Sequence, residues 1–275
     1  MNYSAPLPLD LPALRQKARW VWRETLRIHR RSPETRVASA LSCVEILVAL
    51  YYGGFLRYDP KQPFWPGRDR FIASKGHGAI SLYPILADRG FFPHEALTQI
   101  GQPGALLSVI PEPAIPGVET VNGALGHGVG VGCGMALALQ RRDPDRRVVV
   151  LVGDGELHEG ANWEAFMLAA QHRLDNLSVI VDNNRISMLG PTDAIVSHRS
   201  LPVKLEAFGW AAASVDGHDL EALLTILAAV TPGQPRCIIA DTHKGRGVPG
   251  LEDAPLSHVT SIPPAQLDAL LGETP

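Results

Sequence analysis

Residues 153–190 read GDGELHEGANWEAFMLAAQHRLDNLSVIVDNNRISMLG. An apolar run, VVVLV (148–152), leads into Gly153-Asp154-Gly155. A second, LSVIV (177–181), leads into Asp182 and then Asn183-Asn184. Fully apolar runs of this length, joined by a stretch at helical spacing, predict parallel strands covered on both faces. In such sheets ligands bind beyond the carboxyl ends of the strands, where Asp154 and the asparagines fall. If the two strands are neighbours, both side chains reach one crevice. An aspartate carboxylate, an asparagine carbonyl and one main-chain carbonyl suit a hard divalent cation such as Mg2+, which takes oxygens at about 2.1 Å in octahedral geometry and shares its shell with phosphates. Ca2+ or Mn2+ would accept the same donors. Gly153 and Gly155 let the backbone approach a diphosphate closely, and the helix that follows turns its positive end toward it. Asp-Gly and Asn-Asn are also ordinary turn dipeptides; their phase with two strands is what favours the cation site.

Outward from this stretch the pattern alternates. Strand 147–152, helix 160–172, strand 177–182, helix 201–208, strand 211–215, helix 219–229 and strand 236–241 follow in order. The expected fold class is α/β, a doubly wound and mostly parallel sheet with helices on both faces. Toward the N-terminus, residues 1–12 are Pro-rich and are read as an extended arm. A helix is expected from Leu14 to about His29. Ser42 is expected to cap a second helix, CVEILVALYY, that Gly53-Gly54 ends. FIAS (71–74) predicts a short strand, followed by a helix from Gly78 to about Gly90. Residues 101–117 form a loop, and a small-residue helix runs from about Gly126 to Arg141. Residues 243–275 are a loop and a last helix from Pro264. The whole of 1–275 is read as one domain.

The bulk properties narrow the function classes. With 45% hydrophobic and 19% charged residues the chain can bury a full core. A net charge of −3, with arginine pairs scattered at 30–31, 141–142 and 146–147, speaks against a nucleic-acid surface. No apolar run is long enough to span a membrane, and the N-terminus lacks the pattern of a signal peptide. Three cysteines far apart form neither a disulfide framework nor a zinc motif. A cytoplasmic location is the expectation.

With the metal pattern in place, further stretches align in order: ASKGHG (73–78), PGVETVNGALGHGVG (116–130), DNLSVIVDNN (175–184), FGWAAASVDGHD (208–219) and HKGRGV (243–248). From about Leu14 to Leu270 the chain resembles the transketolase family, specifically the diphosphate-binding section occurring as a separate subunit. The resemblance implies thiamine diphosphate with Mg2+ as cofactors. It also implies roles for individual residues. Asp154, Asn184 and the backbone carbonyl of Ile186 are metal ligands. Gly153 and Gly155 lie against the diphosphate, Gly123 and Leu125 beside the diphosphate and aminopyrimidine, and His77 near the diphosphate. His258 lies near the thiazolium, and Glu159 at a subunit interface. As plainer readings, His77 would cap a helix and His258 would be a surface residue.

Two departures bear on substrate. Where the family carries histidines that hydrogen-bond the sugar, alignment places Arg36 and Val109. Arginine is a fixed cation suited to carboxylate or phosphate; valine offers no hydrogen bond. Arg36 therefore joins His77 and His258 as an expected substrate-facing residue, suited to a 2-oxo acid donor; the alternative is that it pairs with Glu34. The family's cofactor-activating glutamate sits in a pyrimidine-binding domain that 275 residues leave no room for. A partner subunit supplying it, in an α2β2 heterotetramer, is expected. The expected reaction is transfer of a two-carbon ketol or acyl unit from a sugar or 2-oxo acid to an aldehyde or ketone. The alternatives are the α subunit of a 2-oxo acid dehydrogenase decarboxylating component, which SKGHG and HKGRGV disfavour, and a non-catalytic cofactor-binding or regulatory subunit.

Overall fold

The structure, a computed structural model, describes residues 8–272. In chain order the helices and strands are α1 (Leu11–Arg31), α2 (Val37–Leu41), α3 (Val44–Tyr52), β1 (Arg70–Ala73), α4 (Leu82–Arg89), α5 (Gly128–Arg142), β2 (Val148–Gly153), α6 (Gly160–Gln171), β3 (Leu177–Asn183), α7 (Thr192–Val196), α8 (Leu201–Ala207), β4 (Ala211–Asp216), α9 (Leu220–Ala228), β5 (Arg236–Asp241) and α10 (Pro264–Leu271). The five strands form one sheet in the order β1-β2-β3-β5-β4, and every pairing is parallel. The α/β fold class is therefore as expected.

Strand periodicity explains how both faces are covered. Val149 and Leu151 of β2 join a core with α1, α3, α4 and α9. Val148, Val150 and Val152 point the other way, into a core with α5, α6 and α8. A third cluster binds α1 and α2 to residues 248–271, including Leu267 and Leu271 of α10. None of the helices among the described residues is long and apolar enough to cross a membrane.

Several boundaries differ from the sequence reading. Of the expected arm, residues 1–7 lie outside the described residues. The arm ends early: Asp10 caps α1 by accepting from Ala13 N at 2.9 Å, and α1 starts at Leu11. Pro12 is compatible because a first-turn proline lacks only an N–H that has no helical partner anyway. Ser42 does not cap α3; Cys43 occupies that position. The Ser42 hydroxyl is drawn instead to the buried Asp182, donating to Oδ2 at 2.6 Å. The segment after Gly76 begins as a 3-10 turn, Gly76–Ser81, before α4 takes over.

Candidate cofactor site

The register of the sheet brings four strand ends together. Gly153 pairs with Asp182 and Asn183 with Asp241, while Ala73 pairs with Leu151. The segments just past β1, β2, β3 and β5 thus share one rim. A cavity of about 310 Å³ opens there. His77, Leu125, Gly153, Asp154, Gly155, Glu159, Asn184, Ile186 and His258 all line it. These nine residues come from five separate parts of the sequence. Gly123 and Arg36 are not among the lining residues. Gly123 is exposed on the loop whose Asn122 carbonyl lies so near Gly76 that a Cβ there would stand 2.5 Å from it. Val109 packs beside Gly101, away from the cavity. A larger cavity, about 770 Å³, lies beside α1 and the β4–α9 turn and holds none of the expected residues.

The expected metal donors are adjacent. Asp154 Oδ2 accepts from Arg185 N at 2.6 Å and Oδ1 from Gly155 N at 2.9 Å. Asn184 Oδ1 accepts from Ile186 N at 3.2 Å. The Ile186 carbonyl accepts from Lys244 Nζ at 2.5 Å. All three donors are oxygens, the chemistry a hard cation needs. Asp154 is 2% exposed, and burial, then the charge of Asp182, push its carboxyl above its ordinary value. The chain alone leaves this negative charge under-compensated, so the donor set fits a divalent cation. Gly155 fits a close backbone approach, since a Cβ there would come within 3.0 Å of Ser187.

Beneath the donors lies a network that sequence reading missed. Lys75 forms a salt bridge with Asp182, both within 2% of full burial. Lys75 Nζ also donates to the Ser39 carbonyl at 2.7 Å, and Asp182 accepts further from Ser42, Thr242 and Asn184. Burial opposes both charges; each carries the other, so Lys75 stays above and Asp182 below its ordinary value. Lys244 is pulled down to about 8 by burial and by Lys75. The missed signal was positional: Lys75 and Lys244 fall two and three residues past the ends of β1 and β5. Glu156 was missed too; it accepts from Gly126 N at 2.9 Å and Gly153 N at 3.2 Å, tying the 120s loop to β2.

At the other end stand two histidines. The rings of His77 and His258 lie 4.9 Å apart, and His258 Nδ1 is 3.3 Å from Ser39 Oγ. Burial, then Lys75, holds His77 well below its ordinary value; burial, then Lys244 and Arg36, lowers His258 to about 4. These influences keep both rings neutral near pH 7, a form able to donate at one nitrogen and accept at the other. Met188 and Leu189, both exposed, form an apolar lip.

Residues 35–270 match the family model described as transketolase, thiamine diphosphate binding domain. The chain belongs to the transketolase family. It is 40% identical over 256 residues to an apulose-4-phosphate transketolase subunit of Actinobacillus succinogenes, covering 92% of each chain. It is 38% identical to the 6-deoxy-6-sulfo-D-fructose transketolase subunit SqwG of a Clostridium species, covering 81% of this chain and 82% of that one. Among solved structures, the transketolase of Campylobacter jejuni superposes with a TM-score of 0.89 at 29% identity. That likeness covers 96% of this chain but 43% of that one, so the chain spans less than half the length of the solved transketolase. The transketolase match also sets aside the 2-oxo acid dehydrogenase alternative.

Proposed function

We propose that this chain is the diphosphate-binding subunit of a two-subunit, thiamine-diphosphate-dependent transketolase-type transferase, which moves a two-carbon ketol or acyl unit to an aldehyde or ketone acceptor. The observation that carries the reading is the meeting of Asp154, Asn184 and the Ile186 carbonyl in one cavity, in a chain of this family. When bound, thiamine diphosphate supplies a nucleophilic carbon and an electron sink. The chain's part is to hold and orient it. Asp154, Asn184 and Ile186 hold Mg2+; Gly153 and Gly155 admit the diphosphate; Lys244 adds positive charge at that end. Leu125 packs along the ring system. His77 and His258 donate and accept hydrogen bonds where the reaction occurs.

Relatives that are themselves named as transketolase subunits support a separate partner. That partner carries the pyrimidine pocket and the activating glutamate, and Glu159, exposed at the cavity edge, meets it. The assembly is an α2β2 heterotetramer in the cytoplasm, with 1–275 folding as one unit. The test is calorimetric titration of the assembled enzyme with thiamine diphosphate and Mg2+. Asp154→Ala removes the charged ligand from a small hard-cation site and should abolish Mg2+-dependent cofactor binding. Unchanged affinity refutes the assignment.

A further inference from the structure

Gly153-Asp154-Gly155 is a pliable place to mount a metal ligand. With glycine on either side, the backbone around Asp154 lacks the side-chain contacts that restrict other residues. The position of its carboxylate therefore depends on how the turn is fastened. Locally, Asp154 N donates to the Asp182 carbonyl at 3.2 Å, and the Asp154 carbonyl accepts from Leu157 N at 3.1 Å. A further fastening comes from far along the chain. His198, 6% exposed, donates from Nε2 to the same Asp154 carbonyl at 2.8 Å. The acceptor is a carbonyl, so the His198 ring carries a proton on Nε2.

The segment that carries His198 has little else to hold it. Between Pro191 and Ser200 only Thr192 and His198 are buried, and Ile195 and Val196 are exposed. Helix α7 within it has five residues, too few to be stable by itself in water. Both buried residues reach Asp154: Thr192 Oγ1 donates to Oδ2 at 3.4 Å, and His198 donates to the main-chain carbonyl. His158 closes the arrangement from the other side. Its Nε2 donates to the Val196 carbonyl at 2.9 Å, and its ring stacks on that of His198 with centroids 4.6 Å apart. Each ring thus holds a carbonyl in the other's segment. His158 and Ile195 line the cofactor cavity with Met188 and Leu189.

We propose that His198 is a positioning residue: with His158 it clasps the 192–198 segment to the Gly-Asp-Gly turn and so sets the Asp154 carboxylate for Mg2+. The inference rests on the cavity being the thiamine diphosphate and Mg2+ site. His198 does not line the cavity and acts only through Asp154. Its contribution is preorganisation, since a ligand already fastened in place loses less freedom when the cation binds. His158 contributes by holding the backbone beside His198 and by stacking on its ring.

The experiment uses the chain assembled with its partner subunit, as wild type, His198→Phe, His198→Gln, His158→Phe and Gly132→Ala. Calorimetric titration with Mg2+ at saturating thiamine diphosphate reads metal affinity, and thermal midpoints without either read stability. His198→Phe keeps a ring to stack but takes the long-range donor from the Asp154 carbonyl. Mg2+ should then bind roughly 5- to 50-fold more weakly, the effect of losing a hydrogen bond to a buried acceptor. His198→Gln, whose Nε2 can reach the same carbonyl, should recover most of that loss. Gly132→Ala, which presses α5 against Val150 outside the cavity, should lower the thermal midpoint and leave Mg2+ affinity unchanged. In both Phe variants trypsin should cut faster after the exposed Arg199, next to the clasp. Unchanged affinity in His198→Phe, no recovery in His198→Gln, an equal loss in Gly132→Ala, or unchanged cutting after Arg199 overturns the proposal and leaves the cofactor site standing. Absence of Mg2+-dependent cofactor binding by the wild-type complex overturns both.

Discussion

Lys75 is 1% exposed, and the only full counter-charge to the buried Asp182 beneath the site, among the described residues, is its ammonium. Removing one partner of such a pair leaves an uncompensated buried charge, which costs about 3–5 kcal/mol. Lys75→Met should lower unfolding stability by that amount in urea titration, and a loss within the usual scatter of surface substitutions would show that the pair is dispensable. At this scale the sequence is legible where chemistry is local. Asp154 and Asn184 announce themselves because each follows an apolar run in phase. Asp182 sits among the same residues yet gives no such signal, because its role depends on Lys75, more than a hundred residues earlier. A charge pair closed by the fold leaves no mark in either local sequence.

Helix α5 shows how an element's glycines divide by environment. A Cβ on Gly132 would stand 2.6 Å from Val150 Cγ2, and one on Gly128 would stand 2.4 Å from Ser74 Cβ. These glycines let the helix lie directly on the sheet and on the strand end that carries Lys75. Gly130 and Gly134 have nothing within 4 Å. Gly132→Ala should therefore destabilise the isolated chain by overpacking, about 1–3 kcal/mol less whatever helix propensity returns. Gly130→Ala and Gly134→Ala should stabilise it by about 0.5–1 kcal/mol each. Thermal midpoints read the contrast, and shifts of the same sign at all three positions would contradict the packing described. The sequence shows the small-residue character of this helix but cannot say which glycines face the sheet. It also misplaces the cap of α3, since a serine's competing attraction to a buried carboxylate is a tertiary matter.

Across the whole molecule, His29 ties the first helix to the C-terminal segment. Its Nε2 accepts from Ile262 N at 3.3 Å, so Nδ1 carries the proton that meets Thr35 Oγ1 at 2.8 Å. Burial, against the raising influence of Glu34, lowers its pKa to about 4. The unfolded chain, with an ordinary histidine near 6.5, takes up the proton first as pH falls. The stability contributed by the neutral ring is thus complete above about 6.5 and is lost between about 6.5 and 4, by an amount on the order of 3 kcal/mol, with the half-buried His258 acting in the same direction. His29→Gln should be less stable at pH 7 but show a shallower fall in urea midpoint over that window; an unchanged slope would remove His29 as a source. By itself the sequence determined the α/β class, the order of strands and helices, the candidate metal donors and the family, because strand period, strand-end position and motif order are all properties of neighbouring residues. Only the tertiary structure decided that β5 lies between β3 and β4, that Lys75 and Lys244 stand behind the donors, and that Arg36 has no ion-pair partner among the described residues. Those facts depend on which distant segments the parallel sheet brings to one rim, and burial then sets the charge each group can carry there.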